Sequence, residues 1–157
     1  RSERFQFEGR SMVTLLIKNP VGANQVLRTI RDEPGEKNVM IALNDLTADG
    51  EDVSWIWDVD FEQLAGNTGA VVTSGRRAAD MALRLKYAGW FERHPGARSG
   101  TLKPTVLPDL EQALRTALYQ LPSGATLYLL PTYTAMLALR RVLSRLGMVR
   151  PFWETEG

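Results

Sequence analysis

The chain has 157 residues, of which 44% are apolar and 24% charged, and its formal net charge is +1. This length predicts one domain, residues 1–157, that buries roughly 70% of its unfolded surface, and the composition is that of an ordinary globular protein. The absence of cysteine excludes disulfides, zinc–thiolate sites and a thiol nucleophile within the chain. No apolar run approaches the ~20 residues that span a bilayer, and we expect a cytoplasmic protein without a membrane span.

Strand and helix patterns alternate in the first third of the chain. A β-rich apolar run covers residues 12–17 and stops at Asn19 and Pro20. A helix fits residues 23–30, where the apolar side chains fall on one face. The next apolar run, residues 39–43, predicts a strand that is buried on both faces of a parallel sheet.

The middle of the chain repeats this alternation. Residues 70–73 predict a second buried strand, and Ser74 is the expected N-cap of a helix at about 76–88 that Gly89 closes. Residues 91–103 show no periodicity and contain many turn-forming residues. We interpret them as a surface loop.

The last third carries the clearest helix. Asp109 is its predicted N-cap, with Gln112 three residues later. Its apolar face comprises Leu110, Ala113, Leu114, Ala117, Leu118 and Leu121. A third buried strand is predicted at residues 125–130. The final helix is expected to turn Met136, Leu139, Leu143 and Leu146 inward and Arg140, Arg141 and Arg145 toward solvent.

This order of elements predicts an α/β fold, Rossmann-like, with a mostly parallel sheet and helices on both faces. Ligands of such sheets bind at the carboxyl ends of the strands. The residues that follow the predicted strands are therefore candidates for binding a substrate: Lys18, Asn19, Asn44, Asp45, Thr132 and Tyr133.

Residues 44–62, NDLTADGEDVSWIWDVDFE, form what we call the acidic segment, which has seven carboxylates and no Lys or Arg. Trp55 and Trp57 lie in its middle, and such side chains are costly to leave in water, so the segment is expected to fold against the rest of the chain. One interpretation is a surface loop anchored by core aromatics. The other is a set of carboxylates aimed for chemistry or docking. The net positive charge of residues 63–157 suits internal pairing or an acidic face for a partner, and it does not indicate nucleic-acid binding.

Ser74, Arg76 and Arg77 suggest an anion site, because free N–H groups at a helix start and two guanidinium groups would converge there. The sequence is not a Walker A loop, since the Lys-Ser/Thr pair is missing. The alternative is that both arginines pair with the acidic segment.

Other carboxylates and the only histidine suggest further possibilities. His94 lies in the predicted loop at 91–103, and nothing in its spacing places it beside a nucleophile. Mg²⁺ could be chelated by Asp45 and Asp49, or by Asp58 and Asp60, which alternate as in an extended segment that points both the same way.

Asp58 has another possible role. A buried carboxylate can fix the tautomer of a catalytic histidine and stabilise its cationic form. The chain has no cysteine and no serine–histidine pair to complete such a site. A second protein would therefore have to supply the other groups.

Four motifs, in this order, resemble the C-terminal domain of MurT proteins: LLIKNPVGANQVL, IALNDLTADGEDVSWIWDVDFE, VVTSGRRAADMALRLKYAG and LYLLPTYTAMLALRRVL. The resemblance covers about residues 4–153. MurT is the Mur-ligase-like subunit of lipid II isoglutaminyl synthase, and the fold implied is that of a Mur ligase C-terminal domain.

The resemblance implies an activity for the whole complex. The MurT–GatD enzyme amidates the α-carboxyl of D-glutamate in the peptidoglycan stem peptide of lipid II. MurT uses ATP to activate that carboxylate, and GatD, a class I glutaminase-like subunit, releases ammonia from glutamine. GatD supplies a Cys and a His, and the family places the third member of the triad, an aspartate, on the MurT C-terminal domain. That aspartate maps to Asp58, with Asp60 as the runner-up, and Lys18 and Asn19 map to a loop near the substrate of related Mur ligases.

The central ATPase domain and its four-cysteine zinc ribbon do not occur in this sequence. The domain alone is therefore expected to be inactive and to bind no cofactor, whereas ATP and Mg²⁺ are implied for the full-length subunit. The implied partners are a GatD-type glutaminase and the lipid II stem peptide. Two rival hypotheses are a stand-alone Rossmann-like module that binds a small molecule or Mg²⁺, and a structural docking domain without a catalytic group.

Overall fold

The computed structural model describes residues 2–92 and 103–148. Within those ranges the strands are β1 (Ser2–Phe7), β2 (Arg10–Leu15), β3 (Lys37–Ala42), β4 (Thr68–Ser74), β5 (Thr105–Val106) and β6 (Thr126–Pro131). The α-helices are α1 (Pro20–Asp32), α2 (Ala78–Tyr87), α3 (Leu110–Gln120) and α4 (Tyr133–Arg145). Three short 3₁₀ helices lie at Thr47–Asp49, Ser54–Asp58 and Phe61–Leu64. No helix in the described ranges is long and apolar enough to cross a membrane.

The strands form one sheet in the order β1-β2-β6-β3-β4-β5. β1 is antiparallel to β2, and every other neighbouring pair is parallel. The hairpin between β1 and β2 turns at Glu8 and Gly9, which both have positive φ, as a tight two-residue turn requires. The predicted α/β fold with a mostly parallel sheet is confirmed.

Helices cover both faces of the sheet and create two hydrophobic cores. α1, α2 and the acidic segment pack on one face, and α3 and α4 pack on the other. Successive strand residues point to opposite cores: Ile41 and Val71 belong to the first, and Met40 and Val72 to the second. This double burial explains why the central strands are continuous apolar runs.

Helix α1 begins three residues earlier than the sequence predicts. The side chain of Asn19 caps it, since Oδ1 accepts a hydrogen bond from the backbone N of Gly22 at 2.8 Å. Pro20 occupies the first turn, where its missing N–H costs nothing. Asn19 and Pro20 therefore end the preceding strand segment and also start the helix.

The prediction that Ser74 caps α2 is wrong. Ser74 is the last residue of β4, and its Oγ donates to the carbonyl of Pro108 at 3.3 Å. α2 begins at Ala78, after Gly75 has turned the chain with a φ of 89°. The predicted end of α2 is confirmed, because Gly89 follows it with a φ of 82°.

The third helix agrees with its prediction. The Asp109 side chain accepts from the backbone N of Gln112 at 2.9 Å and caps α3. In α4, Leu139 and Leu143 are buried and the three arginines are exposed, whereas Met136 and Leu146 are only partly buried. The two-residue strand β5 was not predicted, because two residues carry no periodicity.

Candidate functional site

Loops that follow four parallel strands meet at one edge of the sheet. Backbone hydrogen bonds join them side by side: Ile17 N donates to Pro131 O at 3.0 Å, and Leu43 N donates to Ser74 O at 2.9 Å. The predicted substrate-binding residues and the predicted anion site belong to these loops. The parallel topology therefore brings them to the same edge, as expected.

Asn44 links three of these loops. Its backbone N donates to Thr132 Oγ1 at 3.0 Å, and its Nδ2 donates to Thr134 Oγ1 at 3.0 Å. Its Oδ1 accepts from the backbone N of Arg76 at 3.0 Å. Asn44 is buried, so these bonds satisfy an amide that could not be left unpaired. The geometry explains Asn44 and Thr132 as residues that join the loops, and substrate binding by them stays a prediction.

Asp49 provides the cap of α4. Its Oδ1 accepts from the backbone N of Thr134 at 2.8 Å, and its Oδ2 accepts from Thr134 Oγ1 at 2.5 Å and from Leu46 N at 3.1 Å. A carboxylate at this position satisfies a free N–H and interacts favourably with the helix dipole. This role was not predicted, because Asp49 and Thr134 are 85 residues apart.

Asp45 pairs with both arginines of the predicted anion site. Its Oδ1 accepts from Arg76 Nε at 2.7 Å, and its Oδ2 accepts from Arg77 Nη1 at 3.3 Å. The hydrogen bond from Arg76, followed by that from Arg77, lowers the pKa of Asp45. Arg77 also binds Asp80 at 2.7 Å, which lowers the pKa of Asp80. The alternative given above, pairing with the acidic segment, is therefore observed, and an anion at Ser74, Arg76 and Arg77 would compete with Asp45.

Lys18 and Tyr133 are the predicted substrate-binding residues whose side chains remain available. Both are exposed, Lys18 in the loop before α1 and Tyr133 at the first residue of α4. Neither forms a side-chain hydrogen bond or ion pair within residues 2–92 and 103–148. Asn19, in contrast, uses its side chain to cap α1. Binding of a substrate by Lys18 and Tyr133 stays a prediction.

The second half of the acidic segment contains two short 3₁₀ helices, which Val59 and Asp60 separate. The 3₁₀ helix Ser54–Asp58 ends just before Val59, whose N donates to Ile56 O at 3.4 Å. Val53, Ile56 and Val59 are buried at a spacing of three, the period of a 3₁₀ helix. Asp58 ends this helix, and Val59 after it has extended dihedral angles. Val59 is buried and both Asp58 and Asp60 are exposed, so the predicted alternation of the two aspartates is present at this point.

Asp58 and Asp60 are exposed, and in the described part of the chain neither carboxylate has a hydrogen-bond or salt-bridge partner. A carboxylate of this kind is available to a group from outside the chain. Because exposure and pairing do not distinguish the two residues, Asp58 stays the predicted triad aspartate and Asp60 stays the runner-up. Burial of Asp58 would require a second protein.

Arg84 of α2 holds the backbone on either side of Asp58. Its Nε donates to Ile56 O at 2.9 Å, and its Nη2 donates to Val59 O at 2.6 Å and to Glu62 Oε1 at 2.7 Å. Only 4% of Arg84 is exposed. The hydrogen bond from Arg84 lowers the pKa of Glu62. Arg84 was not predicted from the sequence: its position between the apolar Met81 and Leu85 indicates burial but not these partners.

Two further hydrogen bonds attach the acidic segment to the domain. The backbone N of Asp60 donates to Asn24 Oδ1 of α1 at 2.6 Å. The indole Nε1 of Trp90 donates to Phe61 O at 2.7 Å, in the core. The segment therefore has fixed positions on both sides of its exposed carboxylates.

The two tryptophans of the segment have different environments. Trp55 is partly buried against the first core. Trp57 is 47% exposed, and its ring meets that of Tyr87 edge-on with 5.8 Å between the centroids. Tyr87 is 70% exposed. We call Trp57 and Tyr87 the aromatic patch, and Trp57 directly precedes Asp58 in the sequence.

A metal site is not formed by the described residues. No group of three or more acidic or histidine side chains converges in these ranges. Of the proposed Mg²⁺ ligands, Asp45 binds two arginines and Asp49 caps α4. His94 lies outside the described residues.

Solved structures of Mur ligases share this fold. MurF from Acinetobacter baumannii aligns over 91% of this chain and 29% of its own, with a TM-score of 0.58 and 14% identity. A UDP-N-acetylmuramoyl-L-alanyl-D-glutamate–2,6-diaminopimelate ligase aligns over 94% of this chain and 32% of its own, with a TM-score of 0.50 and 10% identity. The domain is thus of the Mur ligase class in its architecture.

The sequence comparisons identify the family. Residues 16–136 match the family described as MurT ligase C-terminal, and the chain belongs to this family. The lipid II isoglutaminyl synthase (glutamine-hydrolyzing) subunit MurT of Streptococcus pneumoniae is 38% identical over 151 residues, which are 96% of this chain and 31% of that protein. The subunit of the same name from Staphylococcus aureus is 43% identical over 89 residues, 56% of this chain and 20% of that protein. The chain therefore spans less than a third of either relative.

Proposed function

We propose that this chain acts within a MurT subunit of lipid II isoglutaminyl synthase, where it binds a GatD-type glutaminase and supplies Asp58 to its active site. The family membership and the names of the relatives support a role in an amide-forming ligase that hydrolyses glutamine. The complex amidates the α-carboxyl of D-glutamate in the lipid II stem peptide with ATP and glutamine-derived ammonia.

The environment of Asp58 is the observation that carries this proposal. Its carboxylate is exposed and unpaired within the described residues, whereas the backbone around it is fixed by Arg84 and Asn24. A carboxylate that orients a histidine must be rigidly held and must have free acceptor atoms. Asp45 and Asp49 have no such freedom, because each already accepts hydrogen bonds within the chain.

The chemistry divides between two proteins. The partner's cysteine thiolate attacks the carboxamide carbon of glutamine to form a thioester, and its histidine donates a proton to the departing ammonia. Water then hydrolyses the thioester, which releases glutamate and restores the cysteine. Asp58 accepts a hydrogen bond from the other ring nitrogen, which fixes the tautomer and balances the charge of the imidazolium. The rest of the MurT subunit supplies the ATP- and Mg²⁺-dependent activation of the glutamate carboxyl, and this domain alone is inactive.

The aromatic patch and the carboxylates beside it form the proposed docking surface. Trp57 and Tyr87 offer exposed rings. Asp58 and Asp60 follow Trp57 in the chain, and their carboxylates have no partner in the described ranges. Aromatic residues of this kind commonly dominate the binding energy of an interface. The stem peptide would bind at the strand-end loops, near Lys18 and Tyr133, and the complex would act in the cytoplasm.

The test is glutamine hydrolysis by the complex with Asp58→Asn. The amide keeps the size of the side chain but favours the wrong histidine tautomer. We therefore expect kcat to fall by roughly 10- to 1,000-fold, which is less than the ~10⁴-fold loss in a serine protease. The smaller loss is expected because the cysteine of a Cys–His pair is closer to its ionised form than a serine is. Asp60→Asn is the matched control and should retain hydrolysis. A loss in Asp60→Asn alone would move the assignment by two residues, and full activity in both variants would refute a shared triad.

A further inference from the structure

We propose that Arg84 is a positioning residue for glutamine hydrolysis, because its guanidinium fixes the turn that presents Asp58 to the partner. The inference rests on the proposed function of Asp58 and adds a second residue, on a different element, on which that function depends.

The guanidinium of Arg84 lies between two backbone carbonyls of the acidic segment. Ile56 O, two residues before Asp58, accepts from Nε, and Val59 O, one residue after it, accepts from Nη2. One rigid, planar group therefore determines the path of the backbone through Asp58. The planar fork of arginine is suited to such a fixed geometry, whereas a lysine ammonium is a single point charge on a flexible chain.

The buried charge of Arg84 is compensated by the acidic segment. Arg84 is 4% exposed, and an isolated buried cation is strongly unfavourable. Its charge is compensated by Glu62 at 2.7 Å and by the faces of Trp57 and Phe61, whose ring centroids each lie 5.4 Å from Cζ. All of these partners belong to the acidic segment. The buried charge therefore interacts with the segment that carries Asp58.

The bonds that Arg84 makes leave the side chain of Asp58 free. Arg84 forms no hydrogen bond with the carboxylate of Asp58, and its bonds leave that carboxylate exposed. Arg84 thus acts on the backbone and not on the reacting groups. A displacement of about 1 Å in a catalytic group can cost ~10²-fold in rate, so a looser turn should lower catalysis without a direct chemical loss.

The experiment is a double-mutant cycle in the complex of the MurT subunit with its glutaminase. Arg84→Lys keeps the charge and loses the fork, and we expect kcat for glutamine hydrolysis to fall by about 10- to 100-fold with an unchanged KM for glutamine. Because Arg84 acts through Asp58, Arg84→Lys should cause no further loss in an Asp58→Asn background. Amidation driven by added ammonia should be retained.

A second variant covers the case in which Arg84→Lys does not fold. Glu62→Gln leaves the buried arginine in place and removes its carboxylate partner, which is half exposed. Its expected loss is about 3-fold, again absent in the Asp58→Asn background.

The outcomes separate the two hypotheses. Full kcat in Arg84→Lys, or losses that multiply with that of Asp58→Asn, would overturn the positioning role and leave the proposed function intact. Unchanged hydrolysis in Asp58→Asn itself would overturn both.

Discussion

Asp45 and Asp58 lie in the same acidic segment, and their neighbours give them different roles. Asp45 accepts hydrogen bonds from Arg76 and Arg77. These bonds join the loops at the edge of the sheet and lower the pKa of Asp45. Asp58 has no such neighbour in the described residues, and its backbone is fixed instead by Arg84. Sequence composition does not distinguish the seven carboxylates. Their long-range contacts do, because some carboxylates are paired within the fold and others remain available to a partner.

At the residue scale, Trp57 is the predicted centre of the docking surface. Trp57→Ala should weaken the complex with the glutaminase by about 2 kcal/mol, roughly 30-fold in Kd, because truncation removes an exposed ring that a partner would cover. Tyr119→Ala is the matched control, since Tyr119 is 91% exposed on α3, on the opposite face of the sheet. Isothermal titration calorimetry of both variants checks this. Equal affinities for Trp57→Ala and the wild type would contradict the proposed surface.

At the scale of elements, most strands and helices could be predicted because continuous apolar runs and the 3.6-residue period of helices are local signals. The 3₁₀ helix Ser54–Asp58 was not predicted, although the spacing of Val53, Ile56 and Val59 contains its period. The meeting of the candidate residues at one edge of the sheet followed from topology alone. The roles of Arg84 and Asp49 could not be predicted, since their partners lie 22 to 85 residues away and depend on how the helices pack.

The turn at Gly75 allows β4 and the start of the acidic segment to approach closely. A Cβ at Gly75 would lie 2.5 Å from Leu43 O and 2.8 Å from Asn44 Oδ1, at a φ of +89°. Gly124 has a similar φ of +81° but nothing within 4 Å of a Cβ. Gly75→Ala should therefore lower the free energy of unfolding by about 1–3 kcal/mol more than Gly124→Ala. Urea unfolding of the two variants measures the difference, and equal losses would show that strain in φ alone decides the effect.

At the scale of the whole molecule, the uneven charge is partly used within the fold. Arg76, Arg77 and Arg84 pair with Asp45 and Glu62 of the acidic segment. Those contacts connect α2 and the loop before it to the segment and account for the internal pairing that the sequence suggested. The exposed carboxylates that remain, including Asp58 and Asp60, form the acidic face that we assign to the partner.

These ion pairs make stability depend on pH. The hydrogen bonds from Arg76 and Arg77 place the folded-state pKa of Asp45 below its unfolded value, so the folded state binds the proton less tightly. The stabilisation is present above pH ~4 and is lost as the pH falls through the unfolded and then the folded pKa. Asp45→Asn should therefore reduce the difference in unfolding free energy between pH 7 and pH 3.

Urea unfolding at pH 7, 5 and 3 measures that difference. Arg76→Gln, which removes the main hydrogen bond to Asp45, should reproduce part of the change. An identical dependence on pH in the wild type and Asp45→Asn would contradict the argument.

The central claim is that a carboxylate of this chain completes the active site of another protein, and comparing two nitrogen sources tests it most directly. The complex with Asp58→Asn is assayed for amidation of lipid II with glutamine and, separately, with added ammonia. We expect glutamine-driven amidation to fall by at least ~10-fold and ammonia-driven amidation to stay within about two-fold of the wild type, because Asp58 acts only on glutamine hydrolysis. Loss of both activities together, or of neither, would contradict the account.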